Sequence, residues 1–151
     1  MVQPILQVKN LEVEFVTDDG IVRAVNDISF DLYPGETLGI VGESGSGKSV
    51  ANLTILGLIP QPPGHVKGGE VLFAEQDLLK LSQRQFQTIR GKRIAMIFQD
   101  PMTALNPFLT IQDQLIEVSM LPLGHTRAAA IQHAVELLEL VGIPAAASRI
   151  T

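Results

Sequence analysis

The octet GESGSGKS at residues 42–49 constrains this chain more than any other stretch. It fits the pattern G-x-x-x-x-G-K-[ST]. The apolar run ETLGIV precedes it and the helix-forming run SVANLTIL follows it. A strand, a glycine loop and a helix are therefore expected in that order. Gly42, Gly45 and Gly47 let the backbone wrap so that successive amide groups point inward at anionic oxygens. The helix behind the loop adds unpaired amides and the positive end of its dipole. Lys48 supplies a point charge for the β- and γ-phosphates, and the Ser49 hydroxyl is a hard oxygen ligand for Mg²⁺. Glu43, Ser44, Ser46 and Val50 complete the predicted cradle. Glu43 precedes the phosphate contacts and reads as loop structure, not as a general base.

The chain has 151 residues, enough for one domain with a real core, and 46% of them are hydrophobic, which excludes a disordered composition. The formal net charge of -5 argues against a nucleic-acid partner. There is no cysteine, so neither disulfides nor thiolate metal sites are available, which fits a reducing compartment. MVQPILQVKNLEVEF lacks the basic and apolar regions of a signal peptide. No apolar run approaches the roughly 20 residues of a membrane span. The chain thus reads as soluble, or peripheral to a membrane through a partner.

The pattern predicts strands over 5–15 and 21–32 joined by the turn TDDG at 17–20. Continuous apolar runs predict strands buried on both faces over 36–42 and 93–99. A further strand is predicted over 68–73. Helices are predicted from Lys48 to about Leu58, over 81–91, over 110–121 and over 127–141. The last carries Ile131, Ala134, Val135, Leu138 and Val141 on one stripe, with Thr126 as its N-cap and Gly142 and Pro144 at its end. DPMTALNPF at 100–108 reads as a proline-bounded loop. His65, His125 and His133 have no metal-ligand spacing and read as solvated or structural.

AVNDISFDLYPGETLGIVGESGSGKSV at 24–50, RIAMIFQDPMTALNP at 93–107 and LLELVGI at 137–143 together resemble the ATP-binding subunits of ABC transporters. Within that family the chain is similar to the peptide-import branch, which handles dipeptides, oligopeptides, nickel and microcins. The resemblance implies an α/β fold: a P-loop NTPase-like parallel sheet core with an N-terminal antiparallel β subdomain and the start of a small helical subdomain. By the same resemblance, 1–36 form the antiparallel region, 37–99 the phosphate-loop core, and 100–151 the Q-loop and partial helical subdomain. Gln99 matches the Q-loop glutamine, which approaches Mg²⁺ and the attacking water and links the nucleotide to the membrane partner. Lys48 and Gln99 are then the catalytic candidates, and Ser49 and Gln99 the metal candidates. Phe15 matches the aromatic that stacks on adenine; a buried strand phenylalanine is the competing reading. The implied cofactors are ATP and Mg²⁺. The implied partners are a second ATP-binding subunit, two permease subunits contacted through the loop at 100–107, and an extracytoplasmic substrate-binding protein. The implied location is the cytoplasmic face of the membrane.

The family pattern continues past Thr151. No Ser-Gly-Gly signature occurs in the chain, and no apolar run is followed by Asp-Glu, so the general base is absent from these residues. The resemblance places the missing acidic strand between the phosphate-loop strand and the strand ending at Gln99. The chain is therefore expected to hold ATP but hydrolyse no more than traces, and to associate through unpaired apolar edges. A binding-only fragment, another kind of P-loop enzyme, and an ABC-type ATPase of DNA repair are the alternatives. The absence of an N-K-x-D motif weighs against a GTPase.

Overall fold

The computed structural model describes residues 2–99, 105–120 and 123–150. They fall into two compact units, Met1–Phe86 and Gln87–Thr151.

The first unit is built on an antiparallel sheet of order β2-β1-β3-β4, from β1 (Leu6–Thr17), β2 (Gly20–Leu32), β3 (Gly64–Phe73) and β4 (Gln76–Asp77). The TDDG turn closes the β1–β2 hairpin as expected: Thr17 faces Gly20 across the ladder and its hydroxyl donates to the Gly20 carbonyl at 2.8 Å. Helix α1 (Lys48–Ile55) packs with this sheet. Val8, Leu11, Val13, Val25 and Val71 are buried, as are Ala51, Ile55, Leu56 and Ile59 from α1 and the turn after it. Each large apolar side chain removed from water in this way contributes about 2 kcal/mol. A 3₁₀ turn (Leu78–Lys80) and the single-turn helix α2 (Gln83–Phe86) finish the unit, with Leu78 and Phe86 buried.

One line of residues with left-handed backbones crosses the sheet where its register slips. Asn10 on β1, Asp27 on β2 and Gly69 on β3 all have left-handed backbones, with φ of 47°, 53° and 98°. Both ladder registers slip beside Asn10. Asn10 and Asp27 tie the bulges together, Nδ2 donating to Oδ1 at 2.7 Å. Asn, Asp and Gly are the residue types that accept this conformation at least cost.

Two predicted strands are not strands here. Residues 36–42 and 95–99 lie outside any ladder, and in the second segment only Ile94 bridges, to Arg90. Val41 and Ile97 are each 93% exposed, the reverse of the predicted two-sided burial. The physical reason is that a central strand exists only by pairing, and among the described residues neither segment has a neighbouring strand. The helix predicted over 81–91 shrinks to α2, started by a reciprocal cap in which the Ser82 amide donates to Gln85 Oε1 at 2.9 Å.

The second unit contains α3 (Ile111–Met120), α4 (Arg127–Leu140) and the short α5 (Ala146–Arg149). Thr126 caps α4 as predicted, its hydroxyl accepting from the Ala129 amide at 3.3 Å. The buried stripe of α4 is centred on Ala130 and Ala134, while Val141 is exposed. The two alanines leave room for α3 to approach. The predicted partner-facing loop falls outside the described residues from 100 to 104.

Candidate functional site

The loop at 42–49 closes on itself through its own backbone. Ser46 donates its amide to the Glu43 carbonyl at 3.2 Å, and Gly45 and Gly47 both take left-handed backbones, with φ of 81° and 91°. Gly47 is also the N-cap of α1. A Cβ there would strike the carbonyl oxygen of Ala24, and a Cβ on Gly42 would lie 2.6 Å from Ser46 Oγ. At Gly42 the Ser46 hydroxyl can swing aside, but Gly47 is pressed against the backbone of β2 with a left-handed φ, and only glycine fits there.

Lys48 bends its ammonium group back into this turn. Its Nζ donates to the carbonyl oxygens of Gly42 at 2.7 Å and Glu43 at 2.6 Å, and lies 3.2 Å from Ser46 Oγ. No side chain caps α1 and no acidic residue occupies its first turn. The amides and positive dipole end at Lys48, Ser49 and Val50 are thus unopposed, which suits an anion. The exposed Ser49 hydroxyl is available to a hard cation. Among the described residues no group of three or more His, Asp or Glu is placed to hold a metal by itself. A divalent ion here would lean on Ser49 and on oxygens brought by its ligand.

Gly42, Gly45, Ser46, Gly47 and Lys48 line one cleft of about 690 Å³. Its other wall is β2 from Arg23 to Phe30, with Leu38 and Ile40 at the rim. Phe15 does not line this cleft. Its half-buried ring lies over Gly64, where a Cβ would come within 3.1 Å of Cε1. Gln99 is exposed and belongs to the second unit. His65 is exposed on β3, and His125 and His133 meet edge to face with ring centroids 5.7 Å apart. Sequence reasoning did not single out Arg23 or Asn26, which share the cleft with the loop. Only the pairing register reveals them.

The profile of the ABC transporter family matches residues 25–151. The chain belongs to this family. It is 51% identical over 146 residues to the oligopeptide transport ATP-binding protein OppD of Bacillus subtilis (strain 168), covering 97% of this chain and 41% of that protein. It is 50% identical over 142 residues to the dipeptide transport ATP-binding protein DppD of the same organism, covering 94% and 42%. The chain thus spans less than half the length of these ABC relatives. A bacterial ABC transporter cassette solved as a dimer superimposes with a TM-score of 0.75 at 23% identity, over 89% of this chain and 56% of that one. The fold is that of ABC cassettes, an α/β architecture with an N-terminal antiparallel subdomain. Among the described residues no helix is long and apolar enough to cross a membrane.

Proposed function

We propose that this chain is the nucleotide-holding part of an ATP-binding subunit that drives peptide uptake. The observation that carries the reading is the cradle: open amides at the α1 N-terminus, a loop exit that only glycine fits at Gly47, and the Lys48 ammonium held at 2.7 Å from the Gly42 carbonyl oxygen. The peptide assignment is supported by the oligopeptide and dipeptide transport relatives, each about half identical to this chain.

In this reading the amides of residues 42–49 surround the phosphate chain. Lys48 turns from the loop carbonyls to the β- and γ-phosphates, which it meets as a point charge. The Ser49 hydroxyl would hold Mg²⁺, which when bound would supply charge neutralisation at the phosphates. The adenine role for Phe15 and the metal role for Gln99 rest on the family resemblance alone: Phe15 does not line the cleft of the loop, and Gln99 lies in the second unit. A second ATP-binding subunit, two permease subunits and an extracytoplasmic binding protein complete the transporter at the cytoplasmic face of the membrane.

The 151 residues contain neither Ser-Gly-Gly nor an Asp-Glu pair after an apolar run. Hydrolysis needs an oriented water and charge stabilisation that the cradle alone does not supply. The chain by itself therefore holds ATP without cutting it. Calorimetric titration with ATP and Mg²⁺, run beside a phosphate-release assay, tests both halves. Saturable binding with trace turnover is expected. Turnover of about 1 per second, typical of working enzymes, overturns the second half; no binding overturns the first.

A further inference from the structure

Glu14 and Arg23 face one another as Cα partners across the β1–β2 ladder. Opposite charges so placed ordinarily pair. Here the mostly buried Glu14 carboxylate instead sits 3.5 Å from Lys67 Nζ on β3. Among the described residues the Arg23 guanidinium has no ion-pair or hydrogen-bond partner. It borders a shallow hollow shared with Glu12 and Glu14, and on its other side the cleft that holds Gly42, Ser46 and Lys48.

The backbone fixes this position. Ala24, the residue after Arg23, presses its carbonyl oxygen against Gly47 at the exit of the phosphate loop. Ala24 is also the extra residue where the β1–β2 register slips between Val13 and Glu14. The slip leaves Ala24 unpaired at the loop, and Arg23 beside it lines the same cleft as Gly42, Ser46 and Lys48. The result is an unspent guanidinium one residue from a cradle that carries a single ammonium.

We propose that Arg23 is a second cationic contact for the phosphate tail of a nucleoside triphosphate bound at residues 42–49. Lys48 and one divalent ion leave the charge of a triphosphate incompletely met, and a guanidinium fork matches paired phosphate oxygens in a way an ammonium does not. The inference rests on the nucleotide-binding reading above and adds a residue to it.

The test is titration of the whole 151-residue chain with Mg·ATP and, separately, with inorganic tripolyphosphate. Wild type, Arg23→Ala, Arg23→Lys and Glu14→Gln are compared, with circular dichroism as the folding control. Arg23→Ala is expected to weaken both ligands by about fivefold, since the group is exposed. Arg23→Lys recovers part of the loss, and Glu14→Gln leaves both affinities unchanged. Equal tripolyphosphate affinity in folded Arg23→Ala or Arg23→Lys and wild type overturns the proposal while leaving the cradle intact. Wild type binding neither ligand overturns the cradle assignment, and Arg23 with it.

Discussion

Lys48 Nζ lies 2.7 Å from the carbonyl oxygen of Gly42, six residues upstream. The cation is thus stored in its own loop. A phosphate must draw it away from two carbonyls, and the ammonium is already within the cleft when it does. Lys48→Ala removes a half-buried ammonium and its two bonds to loop carbonyls, so stability should fall by about 1 kcal/mol. Binding should suffer more. Loss of a charge-assisted contact costs about 2 kcal/mol, roughly thirtyfold in Kd. Titration with Mg·ATP, paired with thermal melts, checks both statements; unchanged affinity removes the functional assignment.

Gly45 and Gly47 separate backbone strain from collision. Both have positive φ, at 81° and 91°, but nothing lies within 4 Å of a Cβ on Gly45, whereas one on Gly47 meets the Ala24 carbonyl. Gly45→Ala should cost only the left-handed penalty, about 1 kcal/mol. Gly47→Ala adds overpacking against backbone, for a total of about 3 kcal/mol. Chemical denaturation of the two variants should rank them in that order, and equal losses would contradict the packing of β2 on the loop.

These two glycines also mark what the sequence makes legible. The loop is readable because each residue type answers a local need: a turn, an ammonium, a hydroxyl at a helix start. The β1–β2 hairpin and the Thr126 cap are legible for the same reason. The strand predicted over 36–42 failed because its period describes burial between neighbours, and burial is a property of the pairing, not of the segment. Arg23 escaped notice for a related reason. Its place at the cleft depends on a register slip at Ala24 and on Glu14 choosing Lys67, neither of which leaves a mark on composition.

Asp77 predicts how the first unit responds to acid. Its carboxylate accepts from the Leu79 amide at 3.1 Å and lies 2.9 Å from Lys80 Nζ. Burial pushes its carboxyl up, but the Lys80 ammonium and the amides of Leu79 and Val71 together outweigh that and hold it below the ordinary 3.8. A depressed folded value means the contribution is complete above the unfolded value and is lost as pH falls through the folded one. Wild type should therefore weaken below about pH 4. Asp77→Asn keeps a capping oxygen but loses the charge beside Lys80 and the Leu79 amide, so it should lose only about 0.5 kcal/mol near neutrality and be less acid-sensitive. Urea midpoints at pH 7 and pH 3 for both proteins check this, and parallel losses would show that Asp77 plays no part.

Val41 is 93% exposed in a segment where Ile40 and Leu38 are 42% and 40% exposed. Residues 37–42 also carry backbone groups outside any ladder. Apolar side chains beside backbone groups outside any ladder are the conditions under which one edge recruits another. The net charge of -5 opposes association between copies, and salt screens that repulsion. Self-association should therefore grow with both protein concentration and ionic strength, in the micromolar range where exposed edges become hazardous. Val41→Lys places a charge in the middle of the segment, the device natural edge strands use, and should shift the population toward monomer. Val2→Lys alters a residue 74% exposed near the N-terminus and should not. Sedimentation velocity across a concentration series separates these outcomes. A wild-type chain that sediments as a compact monomer at every salt concentration, and melts cooperatively, would mean that the open segment satisfies its backbone with water alone.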